Sequence, residues 1–322
     1  MSTSADEPTL NRILTMELGR CTEAAAVAAS TMIGRGDKDG ADQAAVTALR
    51  DAFNKLEMDG TVVIGEGERD EAPMLYIGEK VGTGNGPKID IALDPLEGTT
   101  LTAKAMSNAL AVVAMALDGT LLNAPDVYMD KIACGPGYRE GVIDLDAPLE
   151  ENISNLAKEK NVDPSEITLC ILDRERHQPL IDSARKMNSR VFLISDGDVA
   201  GVFHTTEPST GIDLYVGTGG APEGVLAAAA LRCVGGQMQG RLVFRNDDER
   251  GRADRLGITD LKRRYYLNDL ASGDVMFAAT GVTDGTMLDG VKWERGFVNT
   301  HTVVMRSKTG TVRYIRARTR RS

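Results

Sequence analysis

Residues 89–100, IDIALDPLEGTT, constrain this chain more than any other stretch. Ile89, Ile91 and Leu93 alternate, with small Ala92 between the last two, as in a buried strand. Asp94-Pro95 comes next. Proline has no N–H for a ladder and a fixed φ, so the strand is expected to stop there. Glu97, Gly98, Thr99 and Thr100 follow, a glycine and two hydroxyls where a helix can begin. Two carboxylates three residues apart therefore leave a strand end together. Carboxylates suit hard divalent cations, and the backbone donors at a helix start suit a phosphate. The stretch reads as a metal-assisted phosphoester site, against the plainer alternative of an acidic turn.

The rest of the composition narrows the setting. A chain of 322 residues allows one large domain or two ordinary ones. Its aromatic content is only 4%, so the core is expected to be aliphatic. The net charge of −10 argues against nucleic acid as the main partner. An acidic chain that binds an anionic substrate needs local cations, either metals or clustered Arg and Lys. Cys21, Cys134, Cys170 and Cys233 show no paired spacing, so they read as reduced thiols in a cytoplasmic protein. No signal-like core opens the sequence, and no apolar run approaches the roughly 18 residues needed to cross a bilayer.

Along the chain, residues 1–8 read as a loose tail. Leu10, Leu14, Leu18, Cys21, Ala25, Ala28 and Met32 recur at helical spacing. A second helix carries Val46, Leu49, Phe53 and Leu56, with Asp42 at or near its first turn. Asp59-Gly60 is expected as a turn and residues 61–64 as a strand. GEGERDEAP, residues 65–73, then gathers Glu66, Glu68, Asp70 and Glu71, with glycines flanking Glu66. Residues 106–115 read as helix passing into strand, and 123–129 as a loop that holds Tyr128. Beyond residue 150, strands at 167–172, 190–194, 212–216 and 241–244 alternate with helices, which predicts a parallel sheet with crossovers. Residues 246–256 read as charged and irregular, and 302–316 as a hairpin turning at Lys308-Thr309-Gly310. A soft boundary near residue 160 would separate a metal-binding α+β domain, 1–160, from a substrate-binding α/β domain, 161–322.

The chemistry collects at strand ends. Asp42, Glu66, Asp94, Glu97 and Glu223 offer oxygen ligands only, which points to Mg²⁺ or Mn²⁺ rather than zinc. A phosphate dianion would be repelled by bare carboxylates, and bound divalent ions reverse that sign. Thr99 is placed to orient the attacking water, with Asp42 as its acceptor. Arg174-Glu175-Arg176 presents two guanidinium forks suited to phosphate. Asp196 and Asp198 are candidate acceptors for sugar hydroxyls, and Tyr128 for a phosphate or sugar contact. GTGGAPEG lacks the spacing of a dinucleotide-binding turn.

DPLEGT resembles the DP-[IL]-D-G-T metal motif of the lithium-sensitive sugar and inositol phosphatases, with Glu97 where Asp is usual. GRGDK…AD, VIGEGERDEAPMLYIGE, NAPDVYM, ISDGDV and GGAPEGV narrow the resemblance to class II fructose-1,6-bisphosphatases of the GlpX type, from about residue 10 to about residue 316. The resemblance implies a layered αβαβα sugar-phosphatase fold, α/β with mixed and parallel sheets. It implies Mn²⁺- or Mg²⁺-dependent hydrolysis of the 1-phosphate of fructose 1,6-bisphosphate, in a homodimer or homotetramer that engages neither membrane nor nucleic acid. Asp42 and Glu66 would serve one metal, and Asp94, Glu97 and Glu223 another. Glu97, Gly98, Thr99, Tyr128, Arg174, Glu175, Arg176, Asp196, Gly197, Asp198 and Gly220 would line the substrate. Some relatives carry proline at the position of Glu175. Sedoheptulose 1,7-bisphosphate and inositol or nucleotide phosphates remain alternative substrates.

Overall fold

The apolar stripe near the start of the chain folds as its spacing implies. In the computed structural model, which describes residues 10–67 and 74–321, α1 (Arg12–Ser30) buries Leu14, Leu18, Cys21 and Ala25. Helix α2 (Lys38–Phe53) buries Val46, Leu49 and Phe53. Asp37 caps it by accepting the Gly40 N–H, and Asp39 is its first-turn acid, so Asp42 lies beyond the capping positions. The tail at 1–8 and the acids Glu68, Asp70 and Glu71 lie outside the described residues.

The chain then runs through β1 (Asp59–Ile64), β2 (Lys80–Val81), β3 (Lys88–Glu97), α3 (Thr99–Ala103), β4 (Leu110–Leu117) and β5 (Tyr128–Cys134). It continues with α4 (Leu149–Lys160), β6 (Thr168–Leu172), α5 (Gln178–Lys186), β7 (Arg190–Ile194), α6 (Asp198–His204), β8 (Leu214–Gly220) and α7 (Ala221–Val234). Last come β9 (Gln237–Val243), α8 (Asp247–Arg255), β10 (Arg264–Tyr266), α9 (Leu267–Leu270), β11 (Val275–Gly281), β12 (Lys292–Glu294), β13 (Phe297–Arg306) and β14 (Thr311–Arg320).

Two sheets result. The first has the order β12-β13-β11-β4-β3-β1-β2, with β14 added on β13; the second has the order β10-β9-β5-β8-β6-β7. Both are mixed. The parallel pairing expected after residue 150 is confined to β8-β6-β7, while β5 runs antiparallel to both β8 and β9. Among the described residues of the first sheet, only β1 and β3 are parallel. The sheets interleave along the chain, so the change of pattern near residue 160 falls inside the second sheet, between β5 and β6.

Strand periodicity explains the layering. In β4, Ala111, Val113 and Met115 face one way, joining Leu18, Leu49 and Phe53 of α1 and α2. Leu110, Val112 and Ala114 face the other way, against Val199 and Phe203 of α6 and Val225 and Leu226 of α7. The same central cluster includes Met129, Ala133 and Tyr215 of the second sheet. The far face of that sheet packs Ile132, Leu169 and Ile171 on Ile153 and Leu156 of α4 and Ile181 of α5. The layers are therefore helix, sheet, helix, sheet, helix. Helix α7 sits in the middle and is apolar nearly all round, as a central helix must be.

Several local expectations change. Strand β3 passes through Pro95. Asp94 pairs with Val112 and Glu97 with Leu110, three steps against two, so Pro95 and Leu96 occupy a one-residue bulge that tolerates a missing N–H. Asp59-Gly60 opens β1 rather than forming a turn. The helix expected before β4 ends at Ala103, well short of that strand. Strand β8 continues beyond Val216 to Gly220, because Gly217, Thr218, Gly219 and Gly220 all pair with β5. Residues 247–255, expected to be irregular, form α8, capped by Asn246 accepting the Glu249 N–H. The hairpin at Lys308-Thr309-Gly310 is present, with φ 56° at Gly310. All four cysteines are buried free thiols. Among the described residues, no helix is long and apolar enough to cross a membrane.

Candidate active site

The bulge in β3 and the two central helices frame one cavity of about 350 Å³. Asp94 and Glu97 line it from the end of β3, and Gly98 and Thr99 from the turn into α3. Gly98 has φ 89°, a left-handed value that a side chain would strain. Asp42 enters from α2, Glu66 from the loop after β1, and Glu223 from the first turn of α7. Asp196, Gly197 and Asp198 close the cavity from the end of β7 and the start of α6. Four chain segments, β3, α2, the loop after β1 and α7, thus bring all five candidate metal ligands together. Gly220 stands just behind them: a Cβ there would overlap Glu223 Oε2.

Crowded, poorly hydrated carboxylates raise one another's pKa. Burial, then repulsion from Asp42 and Asp94, pushes Glu66 up to about 9. Burial and the charge of Asp198 push Glu223 up to about 7, opposed by Lys131. Asp94 and Glu97 are raised by burial and then by their acidic neighbours. Asp94 feels both Glu223 and Asp42, which puts it between the two groups of ligands. The side-chain partner of Asp42 is Glu66. Among the described residues no hydrogen bond joins Asp42 to Thr99, although both line the cavity.

Glu97 and Asp198 are anchored from outside the cavity. Glu97 Oε1 accepts the N–H of Val199 at 2.8 Å and of Ala200 at 3.4 Å, while its Oε2 is buried without a partner. Glu223 Oε2 is likewise buried and unpartnered. Asp198 is ion-paired to Lys131. Two orphaned carboxylate oxygens among raised acids are what a hard cation would satisfy, so the donor set fits a divalent ion. Among the described residues, no three of these side chains close into a tight ligating cluster.

A second group gathers at Tyr128, outside the residues lining the cavity. Arg176 stacks over the Tyr128 ring at 5.1 Å and Arg245 at 4.6 Å. The Arg176 guanidinium also donates to Thr218 O at 2.7 Å. Arg174 lies 4.0 Å from Asp196, linking this group to the cavity rim. Glu175 is exposed on the short turn between the two arginines.

Three residues of these groups escaped sequence reasoning. Lys131 was the readable one, a lysine that opens the apolar run at the end of β5. Asp126 lines the cavity but reads in the sequence only as part of the loop that holds Tyr128. Arg245 fell between the strand expected at 241–244 and the charged stretch from 246.

Residues 12–319 match the family described as bacterial fructose-1,6-bisphosphatase, glpX-encoded. The chain is 45% identical to fructose-1,6-bisphosphatase 1 class 2 of Escherichia coli K12, over 96% of this chain and 95% of that one. Fructose-1,6-bisphosphatase class 2 of Shigella flexneri matches at the same identity and coverage. A solved inositol monophosphatase from Anabaena overlaps 60% of this chain and 71% of its own at 12% identity, with a TM-score of 0.32 that bears on neither fold nor function. With a family match that spans nearly every described element and a full-length relative at this identity, the chain belongs to the glpX-encoded bacterial fructose-1,6-bisphosphatase family.

Proposed function

We propose that the chain hydrolyses the 1-phosphate of fructose 1,6-bisphosphate, giving fructose 6-phosphate and phosphate. The observation that carries this is the convergence of Asp42, Glu66, Asp94, Glu97 and Glu223 on one cavity, in a chain 45% identical to a class 2 fructose-1,6-bisphosphatase. Asp42 and Glu66 would hold one divalent ion, and Asp94, Glu97 and Glu223 a second, with Mn²⁺ or Mg²⁺ suited to oxygen donors. When bound, such ions neutralise phosphoryl oxygens and acidify a water. Thr99 orients the attacking water and Asp42 takes its proton. The water oxygen bonds to phosphorus, the bond from phosphorus to the C1 oxygen breaks, and that oxygen takes a proton from solvent water as it leaves as the sugar alcohol, the hydroxide so formed being neutralised by the proton that Asp42 releases. Arg174, Arg176 and Tyr128 hold the distal phosphate. Asp196 accepts a sugar hydroxyl at the rim, while Gly98, Gly197 and Gly220 let the backbone approach closely. Asp198, already paired with Lys131, has less capacity for a hydroxyl. We read the enzyme as a cytoplasmic homodimer or homotetramer, which light scattering tests.

The deciding experiment is phosphate release with Mn²⁺ or Mg²⁺. It compares fructose 1,6-bisphosphate, sedoheptulose 1,7-bisphosphate and inositol monophosphates. Fructose 1,6-bisphosphate is expected to be cleaved fastest. Preference for an inositol phosphate, or metal-independent release, overturns the reading.

A further inference from the structure

Lys131 is the buried cation beneath this cavity. It is 1% exposed and ion-paired to Asp198, itself 7% exposed. Its strand partners are Gly217 on one side and Gly240 on the other. Its Cδ and Nζ run past Gly224 and Gly219, so close that a Cβ added at either would lie 3.6 and 3.2 Å away. A Cβ at Gly219 would also overlap the Asp198 carboxylate. The side chain thus crosses the sheet in a channel floored by glycines and ends at the first residue of α6. The next two amides of α6, Val199 and Ala200, donate to Glu97 Oε1. Among the described residues, none that lines the cavity is a lysine or arginine.

We infer that Lys131 is a positioning residue: by gripping Asp198 it sets the start of α6, and the amides of that turn hold the Glu97 carboxylate with Oε2 turned free. The inference rests on reading Glu97 as a site carboxylate. Lys131 touches neither substrate nor ion. It acts through Asp198, as an outer partner that orients an inner ligand.

The test uses the full chain as Lys131→Met, Asp198→Asn and the double variant. Two quantities are read: Mn²⁺ affinity by calorimetry without substrate, and amide exchange at Val199 and Ala200 in metal-free protein. Each single variant should weaken Mn²⁺ by about 10–100-fold, the usual effect of losing an orienting partner. Each should also speed exchange at both amides. The double variant should be no worse than the singles, since both residues lie on one line of action. Recovery of wild-type affinity and protection in the double variant would mean that the pair only neutralises itself, and it overturns the inference. So does unchanged or tighter Mn²⁺ binding in Lys131→Met, which is what loss of a nearby cation alone would produce. If Lys131→Met does not fold, Asp198→Asn is compared with the double variant, where no unpaired carboxylate remains; a further tenfold loss there is an overturning result. The exchange readout needs neither sugar nor metal, so failure of the substrate assignment leaves it decisive.

Discussion

Glu97 Oε1 accepts the Val199 N–H at 2.8 Å across 102 positions of chain, joining the end of β3 in the first sheet to the start of α6 above the second. One carboxylate oxygen is thereby tied to the scaffold and the other left over. The contact needs the bulge at Pro95, which breaks the simple alternation of β3 just before Glu97.

That division of roles predicts the behaviour of Glu97→Gln. The amide oxygen can still accept from Val199, but the charge is gone. Metal-dependent phosphate release should fall about 100-fold or more, since several kcal/mol of charge stabilisation is lost. The melting temperature in chelator should hold or rise, because repulsion from Asp94 and Asp198 is relieved. Near-normal turnover would remove Glu97 from the site.

The arginines stacked on Tyr128 should separate binding from chemistry. Arg176→Ala and Arg245→Ala are each expected to raise KM for the bisphosphate about 10–100-fold, the value of a charge-assisted contact, with kcat little changed. Fructose 1-phosphate, which lacks the distal phosphate, should show no such penalty. Equal losses on both substrates would place these arginines elsewhere in the mechanism.

Acid should weaken the fold through His204. Burial lowers its pKa from 6.5 to about 4. Between those values the unfolded chain binds a proton that the folded one does not, so stability is lost as pH falls from 6.5 towards 4. The full effect is at most roughly 3 kcal/mol. Denaturant melts at several pH values should show a shallower acid slope for His204→Gln than for wild type; identical slopes would exclude this group.

Arg306 and Asp274 form a buried pair that also closes the start of the described chain. Arg306 donates to Asp274 and to Leu10 O, and the Leu10 N–H donates back to Asp274. Arg306→Met leaves that carboxylate buried and uncompensated, and it should cost about 3–5 kcal/mol in denaturant titrations. Turnover per folded molecule should be unaffected, since none of these residues lines the cavity.

Much of this molecule is written locally. Leu14, Leu18 and Cys21 face a core because a helix repeats every 3.6 residues, and the β4 side chains divide between two layers because a strand repeats every two. Carboxylates placed after strand ends marked Asp94, Glu97 and Glu223 before any contact was known. Pro95 misled, because its missing N–H stops a strand only where the ladder needs it, and a bulge does not. The glycines at the end of β8 fell outside the strand expected at 212–216, yet they pair with β5, and at Gly219 the Lys131 and Asp198 side chains fill the space that a Cβ would take. The charged run in α8 has little apolar pattern to read, but an asparagine cap and the Arg245–Glu249 and Arg250–Asp247 pairs suffice for a short surface helix.

The sequence by itself determined which groups were available, oxygen ligands without histidine, two arginine forks and a phosphate-sized turn, because side-chain chemistry is a property of each residue. Only the tertiary structure decided which of them meet. Asp42 turned out to face Glu66, Glu97 to hang from α6, and Lys131 to stand under Asp198, because these pairs are made by packing five layers together and no spacing along the chain encodes the distance between layers.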